Sequence, residues 1–113
     1  MALQLMLDFY GCDKQVINDL DQVTVLAHEA IRSIGAEVVE ECSHTFDPIG
    51  ITYIAVISTS HFSVHTWPEY GYAAVDIFSC NEAVPKALAD RLARAMGAKK
   101  TVANQIERRI DEE

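Results

Sequence analysis

Ile51-Thr-Tyr-Ile-Ala-Val-Ile-Ser-Thr-Ser60-His-Phe-Ser-Val-His-Thr-Trp-Pro-Glu-Tyr70-Gly-Tyr-Ala-Ala-Val-Asp-Ile-Phe78 is the stretch that decides the fold. Ile51 to Ile57 is an apolar run rich in β-branched residues, long enough for a central strand. His61 to Trp67 alternates, with Phe62, Val64 and Thr66 on one face and Ser63, His65 and Trp67 on the other. Pro68-Glu-Tyr-Gly71 is a tight connection, and Tyr72 to Phe78 reads as a further strand. Strands joined by such short links pair as hairpins, so the middle of the sheet is expected to be antiparallel.

Upstream, Asp47-Pro-Ile-Gly50 is a turn signal, and Val38-Val39 opens a candidate strand over residues 36–45. Val23, Leu26, Ala27, Ala30, Ile31 and Ile34 recur at helical spacing, and Gly35 stands where a glycine ends a helix. The first segment sets Leu3, Leu5, Leu7 and Phe9 against Gln4, Met6 and Asp8, which is a strand with one apolar face. Downstream, Val84, Leu88, Leu92 and Met96 mark a second helix, with Asn81 as its cap, Pro85 in its first turn and Gly97 as its stop. Val102 to Ile106 forms a last strand. The order β-α-β-β-β-β-α-β leaves few places for parallel crossovers. The expected class is therefore α+β: a two-layer sandwich of a mostly antiparallel sheet with both helices on one face. The other face needs a cover, and a second copy of the chain is expected to dimerise through it.

With 113 residues, no repeat and no linker-like stretch, a single domain over 1–113 with one modest core is expected. Half of the residues are apolar, which suits a globular chain. No apolar run approaches the roughly 18 residues needed to cross a bilayer. The start, Met1-Ala-Leu-Gln-Leu, lacks a basic region and a cleavage site, so a cytoplasmic location is expected. Nine basic and seventeen acidic residues give a formal charge of −8. That argues against a nucleic-acid partner and weakly favours a cationic small molecule. Part of the excess lies in the terminal Asp111-Glu-Glu. Cys12, Cys42 and Cys80 are an odd number without C-x-x-C spacing, so neither a disulfide framework nor a zinc site is expected. Each cysteine reads by default as a small buried hydrophobe.

Between Ser58 and Cys80 lie two histidines, a run of hydroxyl residues, a glutamate and a cysteine. A hairpin would bring the residues around Ser60 and Cys80 close together. His61 and His65 have the spacing of a metal pair on a helix, but on a strand four residues span about 13 Å. No metal site is expected. Ser60-His61 also lacks the G-x-S-x-G elbow of a hydrolase. Taken singly, His65 reads as a structural strand histidine, Cys80 as an inert strand-end thiol, Phe46 as a core ring, Glu69 as a turn carboxylate and Trp67 as packing.

The string as a whole weighs differently. Ser60-His61-Phe-Ser-Val-His65-Thr-Trp-Pro-Glu69-Tyr-Gly-Tyr-Ala-Ala, ending at Cys80, resembles the signature of the small prokaryotic S-adenosylmethionine decarboxylases, pyruvoyl-dependent enzymes of spermidine synthesis. The likeness continues in Asp8-Phe-Tyr-Gly-Cys12-Asp, Phe46-Asp-Pro-Ile-Gly50 and Glu107-Arg108, and so covers nearly the full chain. The resemblance implies self-cleavage between Thr59 and Ser60 into residues 1–59 and 60–113. Ser60 Oγ would attack the Thr59 carbonyl, and elimination from the resulting ester would leave a pyruvoyl group at position 60. His65 matches the family's processing histidine, and Thr52 a processing hydroxyl. The pyruvoyl group would condense with the substrate amine and accept electrons as CO₂ leaves, with Cys80 matching the proton donor. Glu69 matches the carboxylate that holds the ribose hydroxyls, and Phe46 the ring that stacks on adenine beside the cationic sulfonium. The expected assembly is a homodimer of processed protomers.

Two positions depart from the family's pattern. Thr59 stands where a glutamate is common, and Ala2-Leu3-Gln4 where many relatives carry Gly-x-His. Three readings stay open: decarboxylation of S-adenosylmethionine, the same pyruvoyl chemistry on free arginine or ornithine, and a non-cleaving, non-enzymatic relative. The joint presence of Ser60, His65 and Cys80 argues against the third, since an idle site has no need of all three.

Overall fold

The computed structural model describes residues 2–80 and 87–109. Its elements run β1 (Ala2–Tyr10), α1 (Leu20–Ser33), β2 (Val38–Thr45), β3 (Ile51–Ile57), β4 (Ser60–Trp67), a 3-10 turn (Pro68–Tyr70), β5 (Tyr72–Ser79), α2 (Ala87–Met96) and β6 (Lys100–Arg108). The expected cap Asn81, together with Val84, Pro85 and the Asp111-Glu-Glu tail, lies outside the described residues. The strands form one sheet in the order β2-β3-β4-β5-β1-β6, and every neighbouring pair is antiparallel. The α+β sandwich expected from the hairpins is the architecture observed.

Local chemistry places the ends of α1. Asp19 is its N-cap, and its carboxylate accepts the Asp21 and Gln22 N–H groups at 3.0 and 3.2 Å. At the other end Gly35 adopts φ 74°, a left-handed conformation that costs glycine little. That turn lets Ala36 N–H reach the Ile31 carbonyl at 3.2 Å and satisfy a helix-end acceptor. β6 runs further than its apolar centre suggested, Lys100 to Arg108, because β1 supplies a partner along its whole length.

Side chains at alternate positions then make the core. Leu5, Leu7 and Phe9 of β1, Tyr53 and Ala55 of β3, Phe62 and Val64 of β4, and Val75 and Ile77 of β5 face the helices. They meet Val23, Ala27 and Ile31 of α1 and Leu88, Leu92 and Met96 of α2 in one buried cluster. Each fully buried side chain of this size contributes about 1.5–3 kcal/mol.

The remaining positions form a second face. The register aligns His44, Thr52, His65, Ala74, Asp8 and Val102 in one row across it, and Cys42, Ile54, Ser63, Asp76, Met6 and Asn104 in the next. Ile54, Val56 and Ile106 of this face are 40%, 49% and 54% exposed. Among the described residues no element covers it.

Candidate active site

The β3–β4 hairpin turns at Ser58-Thr59, so Ser60 opens β4 opposite Ile57 on one side and Ser79 on the other. β5 ends at Ser79, which brings the next residue, Cys80, against the turn. Cys80 N–H donates to the Thr59 carbonyl oxygen at 3.1 Å, and its Sγ lies 3.7 Å from Ser60 Oγ. The opposite side of the turn is tied down as well. Ser58 N–H donates to the Glu37 carbonyl at 2.9 Å, and Glu37 N–H donates to Ser58 Oγ at 3.0 Å. The Thr59 carbonyl is thus held in place and polarised where negative charge would develop on attack. Cys80 and Cys42 are exposed, so the default of a buried cysteine holds for Cys12 alone. Burial pushes the Cys12 thiol up to about 11, which leaves it protonated and inert at neutral pH.

A second group of side chains gathers at the other end of the same hairpin. Thr52 and His65 are directly paired across β3 and β4, and Thr52 Oγ1 and His65 Nδ1 share a hydrogen bond of 3.0 Å. Phe46, Thr52, His65, Trp67 and Glu69 line a cavity of about 390 Å³. Phe46 is 48% exposed, which removes it from the core, and it meets the His44 ring edge-on at 4.6 Å. Glu69 stands exposed on the 3-10 turn between β4 and β5. Trp67, read as packing, is 41% exposed and also lines the cavity. It stacks on Tyr72 at 5.3 Å, and Tyr72 on Tyr10 at the same distance. The Tyr72 hydroxyl donates to Asp8 Oδ1. Burial, and then that carboxylate, hold the phenol above its ordinary pKa, so Tyr72 stays a donor.

Asn18 belongs to this end too, and sequence reading missed it. Gly50 lies beneath Phe46 and adopts φ 112°, a conformation that side-chain-bearing residues rarely take. Gly50 N–H donates to Asn18 Oδ1 at 3.0 Å, and Phe46 N–H donates to the Gly50 carbonyl at 2.8 Å. Asn18, just before the N-cap of α1, therefore anchors the loop that carries Phe46. Its only sequence signal was a place beside a helix start.

Five residues of extended chain separate Ser60 from His65, about 16 Å. The expected site residues therefore fall into two groups. Thr59, Ser60 and Cys80 meet at one end of the hairpin; Phe46, Thr52, His65 and Glu69 meet at the other. Within one chain the groups do not touch.

Apart from both, His28 Nε2 lies 2.8 Å from Glu41 Oε1, and the Tyr53 hydroxyl donates to the same oxygen at 2.8 Å. The hydrogen bond to His28, and then that from Tyr53, hold the Glu41 carboxyl below its usual range. This cluster ties α1 to β2 and β3. Among the described residues no three ligand-type side chains group as a metal site would require, and no helix is long and apolar enough to cross a membrane.

The two-layer sandwich has counterparts among known proteins. The chain matches the family model of S-adenosylmethionine decarboxylase over residues 3–109. It is 39% identical to the S-adenosylmethionine decarboxylase proenzyme of Acetivibrio thermocellus, over 100% of this chain and 92% of that protein. To the proenzyme of the same description from Caldanaerobacter subterraneus subsp. tengcongensis it is 37% identical, over 99% of this chain and 91% of the relative. The crystal structure of the adenosylmethionine decarboxylase from Aquifex aeolicus superposes with a TM-score of 0.88 at 29% identity, covering 100% of this chain and 94% of that one. The chain belongs to the S-adenosylmethionine decarboxylase family.

Proposed function

We propose that the chain is a proenzyme that cuts itself between Thr59 and Ser60, converts Ser60 into a pyruvoyl group and decarboxylates S-adenosylmethionine. One observation carries the reading: Ser60 Oγ follows directly on a carbonyl whose oxygen accepts Cys80 N–H at 3.1 Å, with the Cys80 thiol 3.7 Å from that hydroxyl. Nucleophile, polarised carbonyl and proton source stand at one turn, and these residues fit a serine-derived carbonyl group at position 60. Cutting there yields fragments 1–59 and 60–113. Once formed, the group supplies an electron-accepting carbonyl, the capacity that decarboxylation of an amino acid demands.

The chain's own residues supply the rest. Cys80 Sγ returns a proton to the substrate's α-carbon. Glu69 accepts hydrogen bonds from the ribose hydroxyls, while the Phe46 and Trp67 rings face adenine and the sulfonium. His65, fixed by Thr52, takes the proton that processing releases. A cavity lined by two aromatic rings and a carboxylate suits a cationic nucleoside better than free arginine or ornithine, whose chains offer no ring to stack. The names of the relatives favour the same substrate.

The gap of about 16 Å between Ser60 and His65 bears on assembly. Two copies laid head to tail on their bare sheet faces bring the His65 end of one over the Ser60 end of the other. Such a pair completes two sites at once and covers Ile54, Val56 and Ile106. The functional unit is accordingly a homodimer of processed chains.

The test is the intact mass of the denatured protein, expected as two fragments that meet between Thr59 and Ser60. Ser60→Ala is expected to stay whole and to release no CO₂. Fully active wild-type protein with an uncut chain would sink the cofactor, and CO₂ release confined to arginine or ornithine would sink the substrate.

A further inference from the structure

Thr59 Oγ1 is sealed from solvent and has no hydrogen-bond partner, the one buried side-chain oxygen or nitrogen in that condition among the described residues. Its neighbour Ser58 contrasts with it, because Ser58 Oγ accepts the Glu37 N–H at 3.0 Å. The turn cannot swing to satisfy Thr59 without cost. Ser58 N–H is bound to the Glu37 carbonyl, and the Thr59 carbonyl takes the Cys80 N–H. A buried hydroxyl without a partner has given up water and received nothing in return. The unmet donor sits on the residue whose carbonyl is attacked.

We propose that the Thr59 hydroxyl is a donor held in reserve for self-cleavage, which makes residue 59 a catalytic residue of processing. This rests on the cleavage site proposed above. As Ser60 Oγ adds to the Thr59 carbonyl carbon, the π pair moves onto the carbonyl oxygen. Collapse breaks the C–N bond, the nitrogen keeps that pair and takes the hydroxyl proton, and an ester remains. Loss of the Ser60 α-proton then breaks the Cβ–Oγ bond, and the ester departs as the Thr59 carboxylate. The dehydrated residue takes up water and releases ammonia to become the ketone. The tetrahedral step puts negative charge on an oxygen of residue 59, and elimination leaves it there as a carboxylate. The terminal carboxylate offers acceptor sites that the amide lacked. A β-hydroxyl reaches the carboxylate of its own residue through a six-membered ring that includes the hydrogen. The donor unmet before the cut is met after it, which tilts the reaction toward the two fragments. Cys80 N–H holds the oxygen from one side, and Thr59 Oγ1 from the other.

The experiment follows the fraction of split chain against time by intact mass in protein freshly made by cell-free synthesis. Thr59→Val keeps the shape and removes the hydroxyl, and is expected to split about tenfold more slowly, about 1.4 kcal/mol in the barrier. Thr59→Ser keeps the donor and is expected within about twofold of wild type. A second measurement needs no cleavage: in the uncut Ser60→Ala proenzyme, Thr59→Val should leave the thermal midpoint unchanged or raise it, because an unmet donor has been removed. A lower midpoint would mean that the hydroxyl has a partner, and would overturn the proposal. Equal splitting rates for Thr59→Val and wild type would overturn it while the cleavage site stands. A wild-type chain that never splits would remove the cleavage site and this inference together.

Discussion

The two ends of the β3–β4 hairpin are built by different means. At the Ser60 end the groups that matter are largely main chain: the Thr59 carbonyl, the Cys80 N–H and the Ser58–Glu37 pair. At the His65 end they are side chains around an open cavity, held by contacts such as the Asn18–Gly50 bond that reach far along the sequence. At the Ser60 end main-chain bonds position the side chains that react, whereas at the His65 end side chains such as Thr52 and His65 position one another. The chemistry of cutting depends on geometry the hairpin provides, and substrate choice depends on rings and carboxylates that the fold gathers.

The sharpest way to break that contrast is His65→Ala, expected to slow splitting by at least about 100-fold. If the two ends meet only across two copies, co-expression with Ser60→Ala chains restores splitting of the His65→Ala chain. Mass spectrometry of the mixture would show its fragments; their absence would mean that His65 serves its own chain or none. Cys80→Ala separates main chain from side chain at a single residue. The N–H to Thr59 remains, so splitting should stay within a few-fold, while CO₂ release falls about 100-fold. Equal loss of both would show that the thiol is needed for the cut as well.

Asn18→Leu addresses the other end. Loss of one neutral hydrogen bond of about 1 kcal/mol should raise KM for S-adenosylmethionine about fivefold, with kcat and splitting little changed. Asn18→Asp keeps an acceptor and should restore KM; a fall in kcat alone would show that Phe46 does not position the nucleoside. The smallest effect is expected at Glu41, remote from both ends. Its carboxyl is held below the usual value near 4.5, so its contribution is full above that value and is lost as pH falls through the folded one. Thermal midpoints of wild type and Glu41→Gln, a few degrees apart at pH 6, should converge as the pH is lowered toward 3. The difference is small because the pair is partly exposed. A gap that persists at low pH would detach the effect from the charge.

Much of the sheet was legible in alternation. Phe62, Val64 and Thr66 point to the helices as their spacing required, and His65 and Trp67 point away. Leu3, Leu5, Leu7 and Phe9 likewise mark the apolar face of β1. The approach of Ser60 to Cys80 followed from hairpin pairing, since antiparallel partners are set by a short connection. Trp67 packs on Tyr72, and its place on the rim of the cavity was not legible, because that cavity is closed by Phe46 and Ile49 from a distant loop. The partners of Asn18 and of the His28–Glu41–Tyr53 cluster were not legible, because these contacts join segments far apart in the chain.

By itself, the order of residues determined the strands, the helices and the tight connection Pro68-Glu-Tyr-Gly71. These depend on neighbours within a few positions, which periodicity and turn residues specify. Only the tertiary structure decided that β1 lies between β5 and β6, that Phe46 faces a cavity and not the core, and that Asn18 reaches Gly50. Those facts depend on which faces and ends meet in space, and no local pattern in a chain encodes that meeting.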